Sequence, residues 1–256
     1  MKAIRSVVGE RCPIPEILDH DPENFVSTMT AAPAGALLYE SELLSGRLHP
    51  GVPAQIGRYA AWLHNQTRDN PAVREAFAVN PGFALRDQSI RSAIGVNPDL
   101  ADRITAVLAA NGEHAGALVD ADITPKNVLL HDAAITKLDF ECTQWGDPAL
   151  DVGIMLAHFV LLALARPRFW DPLVAAAGEC YQAYEQASRV PLGAEFMARS
   201  SDDAAAMMLG RVDGDLVLEY LRPVRGEVNA LARKLLAKPA TTWVELAGLV
   251  GAAAAS

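Results

Sequence analysis

The chain predicts an α+β fold, with a small β segment first and then a large helix-rich part built around a central β hairpin. Three observations lead there. Pro13 and Pro15 force an early extended segment, because proline fixes φ and removes a backbone donor. Two short apolar runs bracket the polar stretch D-A-D-I-T-P-K-N at 120–127, which predicts strands over 116–120, 127–131 and 135–139. From Pro148 onward the sequence reads as helix almost without interruption. The expected division is a remnant β lobe over 1–35 and a helical lobe over 36–256 that carries the hairpin.

Taken in order, residues 1–11 place Ile4, Val7 and Val8 at helical spacing, as the end of a helix. Glu16 to Asp19 reads as a short strand before the turn D-H-D-P-E-N. Phe25 to Thr30 reads as a second strand, and A-A-P-A-G as a loop or hinge. From Pro53 to Asn65 the pattern is helical, with Ile56, Tyr59, Ala60 and Leu63 on one face. Residues 70–97 are mixed, with Pro71 and Pro81 as breakers. Asp99 to Asn111 is a helix that starts behind Asn97 and Pro98. H-D-A-A forms the tight turn between the last two strands. The helix from Pro148 to Leu164 opens after Asp147, an N-cap residue. Further helices are expected over 170–189, 193–209, 214–221, 225–237 and 241–253.

Of the 256 residues, 51% are hydrophobic, which excludes a disordered chain. The formal net charge of -9 argues against general nucleic-acid binding, which requires a basic face to neutralise phosphates. The apolar run around Ile154 to Ala165 contains His158 and is too short to span a bilayer, so it predicts a buried helix and no membrane partner. The start of the chain lacks the apolar stretch of a signal peptide. Cys12, Cys142 and Cys180 are odd in number and scattered, as expected for free thiols in a reducing, cytoplasmic setting.

The residues that carry chemistry gather in one region. Asp122 stands where a strand passes into a loop, a usual place for functional side chains. Its carboxylate there accepts or orients the proton of an attacking hydroxyl; taken alone, it reads as a turn-forming Asp. Asn127 follows five positions later, and its amide oxygen is a hard donor suited to magnesium. Asp139 comes at the end of the apolar run I-T-K-L-D, with Glu141 two residues on as a further carboxylate for the cation. An acid, an amide and a second acid in this order are the set used in phosphoryl transfer from a magnesium nucleotide. Asp147 and Asp151 meet the positive end of a helix and brace the loop that carries Asp122. His158 reads as a buried, hydrogen-bonded histidine, His64 as a C-terminal cap, and Cys142 as a packed thiol. Among the motifs, G-x-S-x-G, G-x-G-x-x-G, the P-loop and zinc-ligand spacing are absent.

The stretches D-A-D-I-T-P-K-N, D-F-E and W-G-D-P-A-L-D resemble those of the aminoglycoside phosphotransferase and methylthioribose-kinase-like family, a branch of the protein-kinase-like fold. Its members carry H-G-D-x-x-x-x-N, D-x-E or D-F-E, and W-G-D-P-x-x-D. The resemblance extends from C-P-I-P-E-I-L-D-H-D to L-G-R-V-D-G-D-L-V-L-E-Y-L, about residues 12–237. It implies that Asp122 is the catalytic base and that Asn127, Asp139 and Glu141 hold magnesium. It also implies that the segment around Met29 and Ala31 is the hinge facing the adenine ring of ATP or the guanine of GTP. The family's histidine is Asp120 here and its glycine is Ala121. Two carboxylates so close together favour protonation of one of them. The family's Gly-rich loop and strand lysine belong to a longer N-terminal lobe, so the resemblance implies a truncated one here. Its open edge would be covered by homodimerisation.

Two functions follow from these residues. One is ATP-dependent O-phosphorylation of a small-molecule hydroxyl, on an aminoglycoside-like or other cationic metabolite. The other is a kinase-like protein that does not phosphorylate, and instead binds a metabolite or partner or catalyses a different reaction in the inherited cleft.

Overall fold

The structure is a computed structural model in which Ile4, residues 13–190 and residues 192–254 are described. Apart from Ile4, the helix expected over 1–11 lies outside those residues. Behind Pro13 and Pro15 the chain runs extended into β1 (Ile17–Asp21), which pairs antiparallel with β2 (Val26–Met29). Phe25, expected in the second strand, instead takes φ 56° in the turn before it. This hairpin is open to solvent, and it exposes Leu18, Phe25, Val26 and Met29. The loop over 30–36 then leads to a short strand, β3 (Leu37–Leu38), and helix α1 (Tyr39–Leu44), neither of which was anticipated from sequence.

The helical part begins with α2 (Val52–Thr67). Residues 70–97, expected as mixed, carry two helices: α3 (Pro71–Ala76) and α4 (Pro81–Ser92). Pro71 and Pro81 start these helices rather than break structure, since a proline in the first turn forfeits no helical bond. The residue ahead of each supplies the cap. Asn70 accepts from the Ala72 and Val73 amides, and Asn80 accepts from the Gly82 amide. Helix α5 (Ala101–Glu113) follows a 3-10 turn over Pro98–Leu100.

Three elements then frame the central loop. Strand β4 (Ala117–Val119) pairs antiparallel with β7 (Gln144–Gly146), a strand too short to read from sequence. Between them, β5 (Val128–His131) and β6 (Ala134–Lys137) form the expected hairpin, and β3 adds to β5 to give a sheet of order β3-β5-β6. The rest is α6 (Pro148–Ala165), α7 (Trp170–Ala187), α8 (Ala194–Asp213), α9 (Arg225–Ala237) and α10 (Trp243–Ala254). No α-helix occupies 214–221, and only its last three residues are helical, as the start of a 3-10 segment. The chain reverses at Gly214 because Asp213 is held by Asn97, Arg225 and Asn229, and the Asp215 amide donates to Ser92 Oγ. A 3-10 segment over Glu219–Val224 follows.

Helix α6 is the centre of the core. It packs on α7 and α8, while α2 packs on α7 and α9 on α8. Among the described residues it is the one helix long and apolar enough to cross a bilayer, and 94% of that window is buried inside the fold.

Candidate active site

Strand β4 delivers the chain into a buried loop. Asp120 is fully buried, Ala121 takes φ 61°, and Asp122 is 8% exposed. A left-handed alanine is strained by roughly 1–2 kcal/mol relative to its usual conformations, so something must hold it. Asp151, in the first turn of α6, does so by accepting from the Asp120 amide at 2.9 Å and the Ala121 amide at 2.7 Å. Asp151 is itself fixed by His64 Nε2 at 2.9 Å, and His64 Nδ1 lies 3.0 Å from the Tyr184 hydroxyl. His64 is therefore not a helix cap, as expected from sequence. It is a fully buried link within α2 that ties α7 and α6 to the loop. Asp147 has a different role. It caps α6 through the Ala149 amide and pairs with Arg199 Nε at 2.5 Å.

Asp122 and Asn127 are brought into direct contact. Asn127 closes a 3-10 turn over Pro125–Asn127, ahead of β5 rather than within it. Its Nδ2 donates to Asp122 Oδ2 at 2.6 Å and to the Asp122 carbonyl at 3.2 Å, which leaves the amide oxygen for another partner. Lys126 Nζ stands 3.2 Å from the same Oδ2, and Arg211 Nη2 stands 4.0 Å from Oδ1. Burial alone would push the Asp122 carboxyl up, but Lys126, Lys137 and Arg211 hold it below the usual carboxylate range. Asp122 is thus an anion at neutral pH.

Asp139 does not end a strand. Strand β6 stops at Lys137, and Asp139 lies exposed two residues beyond it with φ 61°. The Leu138 amide donates to the Asn127 carbonyl at 2.8 Å, so Asp139 follows directly on a residue tied to Asn127. Glu141 is also exposed, on the rim of the cavity that Asp122 lines.

Lys137 connects the two halves of the site. It is fully buried, and its Nζ lies 2.9 Å from Asp120 Oδ1, 2.6 Å from the Leu138 carbonyl and 3.2 Å from the Asp139 carbonyl. The Tyr59 hydroxyl donates to the other Asp120 oxygen at 2.7 Å. Burial pushes the Asp120 carboxyl up to about 6, with Lys137 opposing and Asp151 adding to the rise. Of the two neighbouring carboxylates, Asp120 is thus the one driven towards protonation. Lys137 belongs to none of the sequence motifs. Its signal is register: Lys137 stands two positions after buried Ile135, on the inward face of β6.

His158 in α6 is buried, but the expectation of a hydrogen-bonded ring fails, since neither nitrogen has a partner among the described residues. Burial pushes it down to about 3, so it is neutral. Cys142 is a packed thiol, pushed up to about 11 by burial and the nearby carboxylates.

Met29 and Ala31 line a separate cavity of about 330 Å³ with Pro33, Leu129, Thr136 and Leu138. That is within the size of small-molecule pockets. Its floor, Leu138, is the residue bonded to Asn127 and adjacent to Asp139. The cavity beside Asp122 is smaller, about 80 Å³, and is lined by Arg86, Lys126, Arg211, Glu141 and apolar Ile90 and Met207.

Among the described residues, no group of three or more His, Cys, Asp or Glu side chains is set to enclose a metal. The donors present nevertheless fit magnesium. That ion prefers oxygen, keeps several waters, and is commonly held by one or two protein ligands plus substrate phosphates. The uncommitted amide oxygen of Asn127 and the exposed Asp139 carboxylate are oxygen donors of that kind.

A family model described as the phosphotransferase enzyme family matches residues 4–189. Among solved structures, the chain is similar to a choline/ethanolamine kinase family protein from Mesorhizobium loti. The two share 20% identity and a TM-score of 0.56, over 100% of this chain and 84% of that one. At that identity the likeness is one of fold. No curated protein matches the chain.

Proposed function

The chain belongs to the phosphotransferase enzyme family, and from that premise we propose that it transfers the terminal phosphoryl group of a nucleoside triphosphate, ATP or GTP, to the hydroxyl of a small molecule. The observation that carries this is the 2.6 Å bond between Asn127 Nδ2 and Asp122 Oδ2. It joins the acid and the amide at one point, with Asp139 on the adjoining turn. The nucleobase would lie against Met29, Ala31, Leu129 and Leu138, and the phosphates would run from Leu138 towards Asn127 and Asp139.

In the transfer, the acceptor hydroxyl oxygen forms a bond to the γ-phosphorus, and the bond from that phosphorus to the bridging oxygen breaks. The nucleoside diphosphate leaves with the electron pair, and the hydroxyl proton passes to Asp122. A loose transition state demands mostly positioning and charge stabilisation, so a weakly basic, ionised Asp122 is adequate. Asn127 and Asp139 would hold the magnesium ion, with Glu141 in reserve at the rim, and its chemistry is to neutralise phosphate oxygens. Lys126 fixes Asp122 while keeping a cation beside the reacting centre.

Calorimetric titration with ATP, with and without magnesium, tests the nucleotide half of this reading. Binding should be magnesium-dependent in the wild type, and Asp139→Ala should lose that dependence. If neither ATP nor GTP binds at millimolar concentration, the alternative of a non-phosphorylating family member gains the ground.

A further inference from the structure

The expectation of a cationic acceptor rests on the net charge of the whole chain, which does not locate the cleft. The cavity beside Asp122 has a different character. Three of its lining side chains are cationic, Arg86 from α4, Lys126 from the loop and Arg211 from α8, against two acids, Asp122 and Glu141. That is a net positive lining in a chain of formal charge -9. Lys126 is committed to Asp122 at 3.2 Å, and Arg86 Nη2 pairs with Asp87 at 2.5 Å.

Arg211 is not so committed. Its side chain is 9% exposed, its nearest carboxylate oxygen is 4.0 Å away, beyond hydrogen-bond reach, and its Nε has no partner among the described residues. A buried guanidinium with an open donor is costly unless a ligand completes it. The planar fork of arginine matches a carboxylate or phosphate in two parallel bonds. The guanidinium lies beside the Asp122 carboxylate, with Nη2 4.0 Å from Oδ1, and Arg211 lines the same cavity.

Resting on the phosphotransferase reading, we propose that the acceptor is a small hydroxyl-bearing anion, whose carboxylate or phosphate is held by Arg211 while its hydroxyl meets Asp122. The 4.0 Å between Arg211 Nη2 and Asp122 Oδ1 sets the spacing. The anionic group sits on the carbon next to the hydroxyl-bearing one, or on the following carbon. Bulk beyond that is limited, because a cavity of about 80 Å³ admits only the reacting end of a molecule.

The test uses the whole chain and three anionic probes, glycerate, glycerol 3-phosphate and gluconate, against choline, ethanolamine and an aminoglycoside. Binding is measured by calorimetry, alone and with a saturating non-hydrolysable ATP analogue and magnesium. At least one anionic probe should bind and remain bound with the analogue present. Arg211→Met should weaken it tenfold or more, and Glu141→Gln, a change on the exposed rim, should tighten it severalfold. The proposal is overturned if no anionic probe binds at 10 mM, if the analogue displaces the anion, if both variants bind as the wild type does, or if a cationic probe alone binds. Should Arg211→Met fail to fold, the Glu141→Gln result and the competition with the analogue decide the matter. Failure of the phosphotransferase reading looks different: the anion still binds through Arg211, but with magnesium ATP in place of the analogue no probe yields nucleoside diphosphate.

Discussion

At the scale of single residues, Lys137 and Asp120 form a fully buried ion pair. A carboxylate at that depth requires a cation, and β6 supplies one on its inward face. Removing one partner of a buried pair strands the other, at a cost of about 3–5 kcal/mol, whereas replacing both is far milder. Lys137→Met should therefore lose about that much in urea unfolding, and Asp120→Asn combined with Lys137→Met should recover most of it. Losses that simply add would contradict the pairing. The contact between Asp122 and Asn127 was legible in the sequence because the two stand close together along the chain, in a familiar order. The roles of His64 and Lys137 were not. His64 meets Asp151 across 87 positions, and no local pattern announces such a contact.

At the scale of elements, long periodic helices and the β5-β6 hairpin were legible because hydrophobic spacing sets them. The misreadings have physical causes. Pro71 and Pro81 look like breakers until the Asn before each is read as a cap. Strand β7 is three residues long and exists only through its pairing with β4. The segment 214–221 has helical composition, but Asp213 is bound from three directions, and those bonds turn the chain. Tertiary contacts also decide how closely helices meet. A Cβ on Gly57 of α2 would overlap the Cys180 carbonyl oxygen of α7. Gly57→Ala should accordingly lower thermal stability by about 1–3 kcal/mol, even though alanine favours a helix by about 1 kcal/mol. A gain in melting temperature would show that the two helices do not pack so tightly.

At the scale of the whole molecule, pH should act through buried acids. Burial pushes Asp203, whose oxygen accepts from Asn111, up to about 8. The folded state therefore keeps a proton that the unfolded chain releases above its ordinary carboxyl pKa of 3.8. Folded protein binds more protons in that window, so stability falls as pH rises from about 4 towards 8, by at most about 1.4 kcal/mol per unit. Asp120 adds to the fall up to about pH 6. Asp203→Asn should lose much of this slope, so that its advantage over the wild type in urea unfolding grows with pH. A constant difference would refute the assignment.

The fold joins the Asp122 carboxylate to the Asn127 amide in one loop, and the central claim is that this loop moves a phosphoryl group. The most direct measurement is 31P NMR of the wild type and Asp122→Asn with magnesium ATP and a panel of hydroxyl acceptors. A phosphate monoester should form with the wild type and appear about a hundredfold or more slower with the variant, while the variant binds ATP unchanged. Monoester formed equally fast without the Asp122 carboxylate, or ATP bound by the wild type with no monoester from any acceptor, would contradict the account.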